Sequence, residues 1–257
     1  MRVAIVIGAS SGIGQSTAIQ LAKRGTGVIL TYSGNQAGAQ DTVAAIEKEG
    51  GTAVALRLDI GRSETFPAFR EQVTATLRDT WQRHTFDHLV NNAGFGGMAM
   101  FEDTTEELFD KFMRVLLKGP YFLTQALLPL VADGGAIVNV SSNSALPTGL
   151  VDAGYSAYAT MKGGLNVLTR YMAKEFATRH IRVNAVSPGP TRTRLSDSSG
   201  IVAFDAYPEA IPALAAKTAL GRIGEPDDVG MVIATLLGEE GRWVTAQNIE
   251  VSGGYDL

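Results

Sequence analysis

The chain has 257 residues, 45% of them hydrophobic and 19% charged, with a formal net charge of −4. That length and apolar content suit one large domain whose core needs no staples. The acidic balance offers no broad attraction to nucleic acid or to an anionic membrane, and the absence of cysteine excludes disulfides, thiolate metal sites and a cysteine nucleophile.

Val3–Ile7 is a short apolar, β-branched run and predicts a buried strand. The opening reads as strand rather than secretion leader, and no apolar run is long enough to cross a bilayer, so a cytoplasmic chain is expected. Directly after the strand comes Gly8-Ala-Ser10-Ser11-Gly12-Ile13-Gly14, opening a helix predicted over Gly12–Arg24. Glycines there allow a tight turn and close approach of backbone to a pyrophosphate, and the helix N-terminus supplies unshared N–H groups for the anion. The next strand, Gly27–Tyr32, runs into Ser33-Gly-Asn35, with no acidic residue before Asp41. A carboxylate at that place would take the ribose 2′-hydroxyl of NAD. Its absence leaves room for a 2′-phosphate, with Ser33 and Asn35 as hydrogen-bond donors, so NADP(H) is expected over NAD(H). No lysine or arginine lies in the segment to pair with that charge.

Further strands are predicted at Ala53–Leu58, His88–Asn91, Ala136–Val140, Arg182–Val186 and Gln247–Val251. Helices are predicted over Ala37–Glu49, Ser63–Arg83, Thr105–Val131, Tyr155–Thr178 and Asp227–Gly238. Apolar strands alternating with helices imply a seven-stranded, mostly parallel sheet covered on both faces. With right-handed crossovers this is a Rossmann-type, doubly wound α/β fold in a single domain. Residues 190–216 break the rhythm with proline, glycine, serine and aspartate among Leu195, Ile201, Val202, Phe204, Tyr207 and Ile211. An insertion of that kind is read as a substrate loop.

Within the helix predicted after Tyr155, Tyr158 and Lys162 lie one turn apart. A phenol, with a pKa of about 10, is a poor acid or base near neutrality. An ammonium on the same helix face favours the phenolate, which would make Tyr158 a usable proton donor and acceptor for a carbonyl or alcohol oxygen.

These elements together resemble the short-chain dehydrogenase/reductase family over nearly the whole length. The quoted motifs are the glycine loop, with Ile7 in place of the usual threonine, and Asn91-Asn92-Ala93-Gly94 after the fourth strand. They continue with Val138-Asn139-Val140-Ser141-Ser142, Tyr158-x3-Lys162, Val183 to Pro188-Gly189, Gly221 to Val229 and Ser252-Gly-Gly254. The resemblance implies that Tyr158 is the general acid/base, that Lys162 lowers its pKa and binds the nicotinamide ribose, and that Ser142 hydrogen-bonds the substrate oxygen, with Ser141 as the alternative serine. It also implies that Asp59 and Ile60 contact adenine, that Asn91, Ala93 and Gly94 line the adenosine ribose, and that Pro188, Gly189, Thr191 and Thr193 border the nicotinamide. Two departures stand out. Leu116 occupies the place where many members have an asparagine serving a proton relay behind the lysine, which leaves backbone and water to do that work. Sixteen residues separate Ser142 from Tyr158, which lengthens the loop at 149–154.

The pattern is closest to 3-oxoacyl-carrier-protein reductases, implying an enzyme that interconverts a ketone and a secondary alcohol. A sugar or polyol dehydrogenase and a dinucleotide-binding subunit without turnover are the alternatives. Phe95, Met98, Leu146, Val151, Tyr155, Leu195 and Phe204 are candidate pocket residues and suggest a mostly apolar small-molecule substrate. The resemblance further implies a homotetramer, consistent with surplus apolar residues between Phe112 and Leu127. His84 and His88 have no third ligand in view, so no metal site is expected. Arg170, Lys174, Arg179 and Arg182 read as a solvated basic face, with an acidic carrier-protein dock as the sharper alternative.

Overall fold

Seven strands, β1 (Val3–Ile7), β2 (Gly27–Tyr32), β3 (Ala53–Arg57), β4 (Phe86–Asn91), β5 (Val131–Val140), β6 (Arg182–Pro188) and β7 (Asn248–Val251), form one sheet in the order β3-β2-β1-β4-β5-β6-β7. Every neighbouring pair is parallel. The structure is a computed structural model, and it describes residues 1–146, 151–193 and 208–257. Eight α-helices among the described residues cover the sheet: α1 (Gly12–Lys23), α2 (Gln36–Lys48), α3 (Phe66–Trp81), α4 (Glu106–Phe112), α5 (Gly119–Leu127), α6 (Ser156–Glu175), α7 (Ala210–Ala216) and α8 (Pro226–Leu237).

The alternation of side chains along a strand sorts the two layers. Val3, Ile5 and Ile7 meet Phe66, Phe69 and Leu77 of α3, Leu123 of α5 and Met172 of α6 on one face. Ala4 and Val6 turn to Ala18 and Leu21 of α1, Ile46 of α2 and Ile233 of α8 on the other. Parallel strands put all their C-terminal ends on one edge. Between β1 and β4 the winding reverses, and the crevice that opens there is where such sheets hold ligands. The glycine loop follows β1 and the Asn91–Gly94 turn follows β4, so the order of the strands brings both motifs to that crevice.

Most predicted elements stand within a few residues of their expected bounds, but one differs in kind. Thr105–Val131 was expected as a single helix and is instead α4, a π-helical stretch Met113–Lys118, α5 and a 3-10 turn Leu128–Leu130. The cause is Pro120, which has no N–H for the carbonyl four residues back at Leu116 and whose ring crowds that carbonyl. The ladder widens, and the Gly119 amide reaches back to the Arg114 oxygen. Gly119 is held in place because an added Cβ would lie 2.6 Å from the Ile60 oxygen. Ser63–Arg83 likewise divides into a 3-10 turn (Ser63–Thr65) and α3, which ends where Gln82 turns left-handed at φ 52°. Strand β5 starts five residues earlier than expected, at Val131, which pairs with Phe86. In the predicted substrate loop, α7 was not foreseen; Leu195, Ile201, Val202, Phe204 and Tyr207 lie outside the described residues, as do residues 147–150 of the neighbouring loop.

The basic face expected around the end of α6 does not form one patch. Arg179 turns to the Asp133 carboxylate and the Leu128 and Val131 carbonyls, while Arg182 turns to the C-terminal carbonyls of α8. Only Arg170 and Lys174 remain as exposed helix residues.

Candidate active site

Gly8 and Gly12 adopt positive φ, 77° and 58°, a region closed to most side chains. Gly8 lies against Ala93 of the β4 turn, where an added Cβ would come within 2.7 Å of the Ala93 Cα. Thr31 accepts the Gly8 amide at 3.0 Å, and the Asn92 side-chain amide donates to the Gly8 carbonyl at 2.7 Å. The sequence assigned no role to Thr31 or Asn92; the signal was that they lie within one residue of the ends of the two strands flanking β1. Ser11 precedes α1 in extended backbone, and its hydroxyl makes no cap. The first α1 amide to bond backwards is that of Gln15, to Ser11. The amides of Gly12, Ile13 and Gly14 therefore remain unshared at the positive end of the helix, beside Ser10 and Ser11. This cradle fits a dinucleotide pyrophosphate.

At the end of β2, Ser33 is exposed and available. Asn35 departs from expectation. Its side-chain oxygen caps α2 by accepting the Gly38 amide at 3.1 Å, and its nitrogen donates to the Ser10 carbonyl at 3.3 Å. Asn35 thus ties α2 to the glycine loop instead of standing free for a phosphate. After β3, the Asp59 carboxylate accepts the Gly61 amide at 2.9 Å, while Ile60 is buried against α5.

Asn91 also departs from expectation. Its side chain points into the core, donating to Thr124 of α5 at 3.0 Å and to Asn139 of β5 at 2.8 Å. Asn139 in turn donates to Thr169 of α6 at 2.8 Å. Only the backbone of Asn91 is left to face the crevice, with Ala93 and Gly94 beyond it.

The two serines after β5 take different directions. Ser141 is 4% exposed and donates to the Lys162 carbonyl at 3.1 Å. Ser142 shares a 2.8 Å hydrogen bond with Ser144, and its hydroxyl lies near enough to the Tyr158 phenol to oppose the rise in its pKa. The geometry therefore favours Ser142. Tyr158 is held edge-on by Phe112 and Tyr155, with ring centroids 6.0 and 6.2 Å away. Lys162 is 5% exposed, and its Nζ donates to the Val140 carbonyl at 2.7 Å.

The expected depression of the phenol pKa is not found. Burial pushes Tyr158 up to about 12, and burial pushes Lys162 down to about 8. The Lys162 ammonium lies 5.8 Å from the centre of the Tyr158 ring. Desolvation is the largest cause of both shifts. Tyr158 therefore keeps its proton near neutral pH.

Leu116 is 1% exposed in an apolar cluster with Phe95, Phe112 and Met161. An added Cβ on Gly94 would lie 3.1 Å from Leu116 and 3.8 Å from the Lys162 Nζ, so both side chains flank the same turn. Leu116→Asn is expected to lower stability by about 2–4 kcal/mol, because it removes packing and buries an amide, and to leave kcat unimproved. Denaturation and steady-state rates check this; a clear rise in kcat would show that the missing amide limits proton supply.

On the far side, the segment after β6 closes over the loop. The Gly189 amide donates to Val251 at 3.1 Å, Thr191 donates to the Gly189 carbonyl at 2.9 Å, and a Cβ on Gly12 would stand 3.3 Å from the Thr193 methyl. Pro188, Gly189, Thr191 and Thr193 are thereby brought to the crevice. Phe95 is nearly buried and Met98 exposed, but Val151, expected in the pocket, is 92% exposed. Leu195 and Phe204 fall outside the described residues.

A family model described as enoyl-(acyl carrier protein) reductase matches residues 8–256. An uncharacterized oxidoreductase of Methylorubrum extorquens is 40% identical, over 98% of this chain and 97% of its own. A hydroxynaphthalene reductase-like protein of Metarhizium brunneum is 34% identical, over 98% of this chain and 94% of its own. Among solved structures, the landomycin C-6 ketoreductase with bound NADP and rabelomycin matches with a TM-score of 0.87 at 31% identity, over 99% of this chain and 96% of that one. Strand order, motif placement and these likenesses agree, and the chain belongs to the short-chain dehydrogenase/reductase family of oxidoreductases.

Proposed function

We propose that the protein is an NADP(H)-dependent ketone reductase in which Tyr158 gives its proton to the carbonyl oxygen. The observation that carries this is the meeting of a partly buried Tyr158, which burial keeps protonated, with the Ser142 hydroxyl and the buried Lys162. The nicotinamide cofactor supplies the hydride when bound. Ser142 and Tyr158 fix the substrate oxygen between two hydroxyls, and Lys162 keeps a cation behind the phenol. The amides of Gly12–Gly14 with Ser10 and Ser11 hold the pyrophosphate, and Ser33 remains to bond a 2′-phosphate. Asp59, Ile60, Ala93 and Gly94 border the adenosine half, and Pro188, Gly189, Thr191 and Thr193 the nicotinamide half.

The wall beside Tyr158 suits a flat, apolar ketone. Phe95 and Phe112 stack at 4.9 Å, 11° from parallel, and Tyr155 stands edge-on to Tyr158. The hydroxynaphthalene reductase-like relative points the same way. The enoyl description of the family model raises reduction of a carbon–carbon double bond. There the new proton must reach carbon, whereas two hydroxyls meeting at one point serve an oxygen. Exposed apolar residues along the α5 and α6 surfaces, Tyr121, Phe122, Val167 and Tyr171, support the homotetramer implied by the family resemblance.

A panel of aromatic ketones, aliphatic ketones, sugars and enoyl thioesters, assayed with NADPH and with NADH, tests the reading. The expected result is fastest turnover of aromatic ketones with NADPH, giving a secondary alcohol. Better turnover with NADH, or with sugars or enoyl thioesters, would overturn it.

A further inference from the structure

A second cavity lies at the opposite edge of the sheet, where the strands begin. It has a volume of about 370 Å³ and is lined by Arg2, His88, His180, Arg182, Glu239 and Arg242 among others. Arg2 precedes β1, His88 sits near the start of β4, and Arg182 opens β6. Glu239 and Arg242 follow α8.

Three guanidiniums face this space against one carboxylate, in a chain whose net charge is −4. The nearby carboxylates beyond the lining are already engaged. Asp87 holds Arg83 and the Val3 amide, Asp133 holds Arg179, and Glu240 holds Arg24. Glu239 pairs with Arg2 through side chains that are both largely exposed, so that pair yields easily to a competing anion. Arg182 has no carboxylate partner among the described residues. Its terminal nitrogens donate to the Leu236 carbonyl at 2.7 Å, to Val244 and Leu237 at 3.3 Å and to Gly238 at 3.4 Å, covering the negative end of α8. Its guanidinium is partly withdrawn from water, and that burial lowers its pKa. Among the described residues the Arg242 guanidinium hydrogen-bonds only to the Glu239 carbonyl, at 3.3 Å.

His88 stands in the same wall. The ring is 5% exposed and lines the cavity. Burial pushes this imidazole down to about 4, so the ring is neutral at physiological pH and can share a hydrogen with an anion.

We propose that this cavity binds a small phosphate-bearing molecule, gripped by the Arg2 and Arg242 guanidiniums, with the charge of Arg182 behind them and the His88 ring as its floor. Guanidinium forks match phosphate oxygens in pairs, and the volume suits a small metabolite. Such a site is separate from the crevice at the strand C-termini, and nothing in the proton chemistry of Tyr158 requires it.

The chain has three histidines, His84, His88 and His180, and two of them line this cavity. Inorganic phosphate titrated into the full chain carrying 15N-labelled histidine, at constant ionic strength, is therefore read by their ring resonances. The expected result is a saturable shift of His88 and His180 with one midpoint, and no comparable shift of His84. Arg242→Ala, at an exposed side chain outside the catalytic crevice, is expected to raise that midpoint about tenfold, the loss of one charge-assisted contact. Arg170→Ala on α6 leaves it unchanged. Failure of the His88 signal to saturate, or the same midpoint in Arg242→Ala, would overturn the proposal.

Discussion

Replacing Tyr158 with phenylalanine is expected to lower kcat/KM for ketone reduction by about 10²–10⁴-fold, the contribution of a positioned general acid. Affinity for NADPH should stay close to that of the parent protein. The substitution removes one hydroxyl from a ring that keeps its aromatic neighbours Phe112 and Tyr155, with ring centroids 6.0 and 6.2 Å away. The fold should therefore be unaffected, and any loss belongs to the proton. A phenol pushed up to about 12 is fully protonated at working pH, which suits donation to a carbonyl and opposes removal of a proton from an alcohol. Steady-state rates beside fluorescence titration of NADPH make the comparison. Retention of the parental rate would remove Tyr158 from the chemistry.

Gly14→Ala is expected to disable the glycine loop altogether. An added Cβ would lie 2.2 Å from the Gly8 carbonyl oxygen, 2.5 Å from the Asn92 amide nitrogen and 3.0 Å from the Ala9 Cα. Two of these are backbone atoms of the same tight turn and cannot swing aside. Overpacking of this sort costs about 1–3 kcal/mol and sometimes more, and here the relief must come from opening the turn. Cofactor affinity should fall at least tenfold with it. Gly163→Ala is the control, because Gly163 lies within α6 with no atom within 4 Å of an added Cβ. There the change should be neutral or stabilising by about 0.5–1 kcal/mol. Chemical denaturation and NADPH titration of both variants check the contrast.

The strands were legible in the sequence because each is a short apolar, β-branched run and all but β3 end at a glycine, asparagine or serine that marks the crevice. What escaped was set by contacts between elements. The direction of Asn91 could have been found, since it lies two residues after Leu89 and so shares the face that meets α5. Asn139, two after Ile137, faces α6 by the same count. Attention to the motif as a binding element concealed its alternation. The break between α4 and α5 also had a local sign in Pro120, yet the widening to a π register depends on how Gly119 sits against Ile60, which sequence does not display. Helix α7 was hidden because Pro208 and Pro212 read as loop, although Pro212 lies within its first turn. The pKa of Tyr158 was misjudged for a further reason. Spacing announces that a cation is near, but only the folded packing tells how much water both groups have lost.

The rungs formed by Asn91, Asn139, Thr124 and Thr169 have a bearing on how the crevice opens. They fasten β4 to β5, and both to the helices behind, just before the chain emerges as the Asn92–Gly94 turn and the Ser141–Ser142 pair. That bank is stapled from within and cannot breathe without breaking hydrogen bonds in a dry interior. The opposite bank is fastened outward instead: the Arg192 amide donates to Gly224 at 2.8 Å and the Gly224 amide to Pro190 at 2.9 Å, so the stretch carrying Thr191 and Thr193 can part from the glycine loop for a long ligand while keeping those bonds.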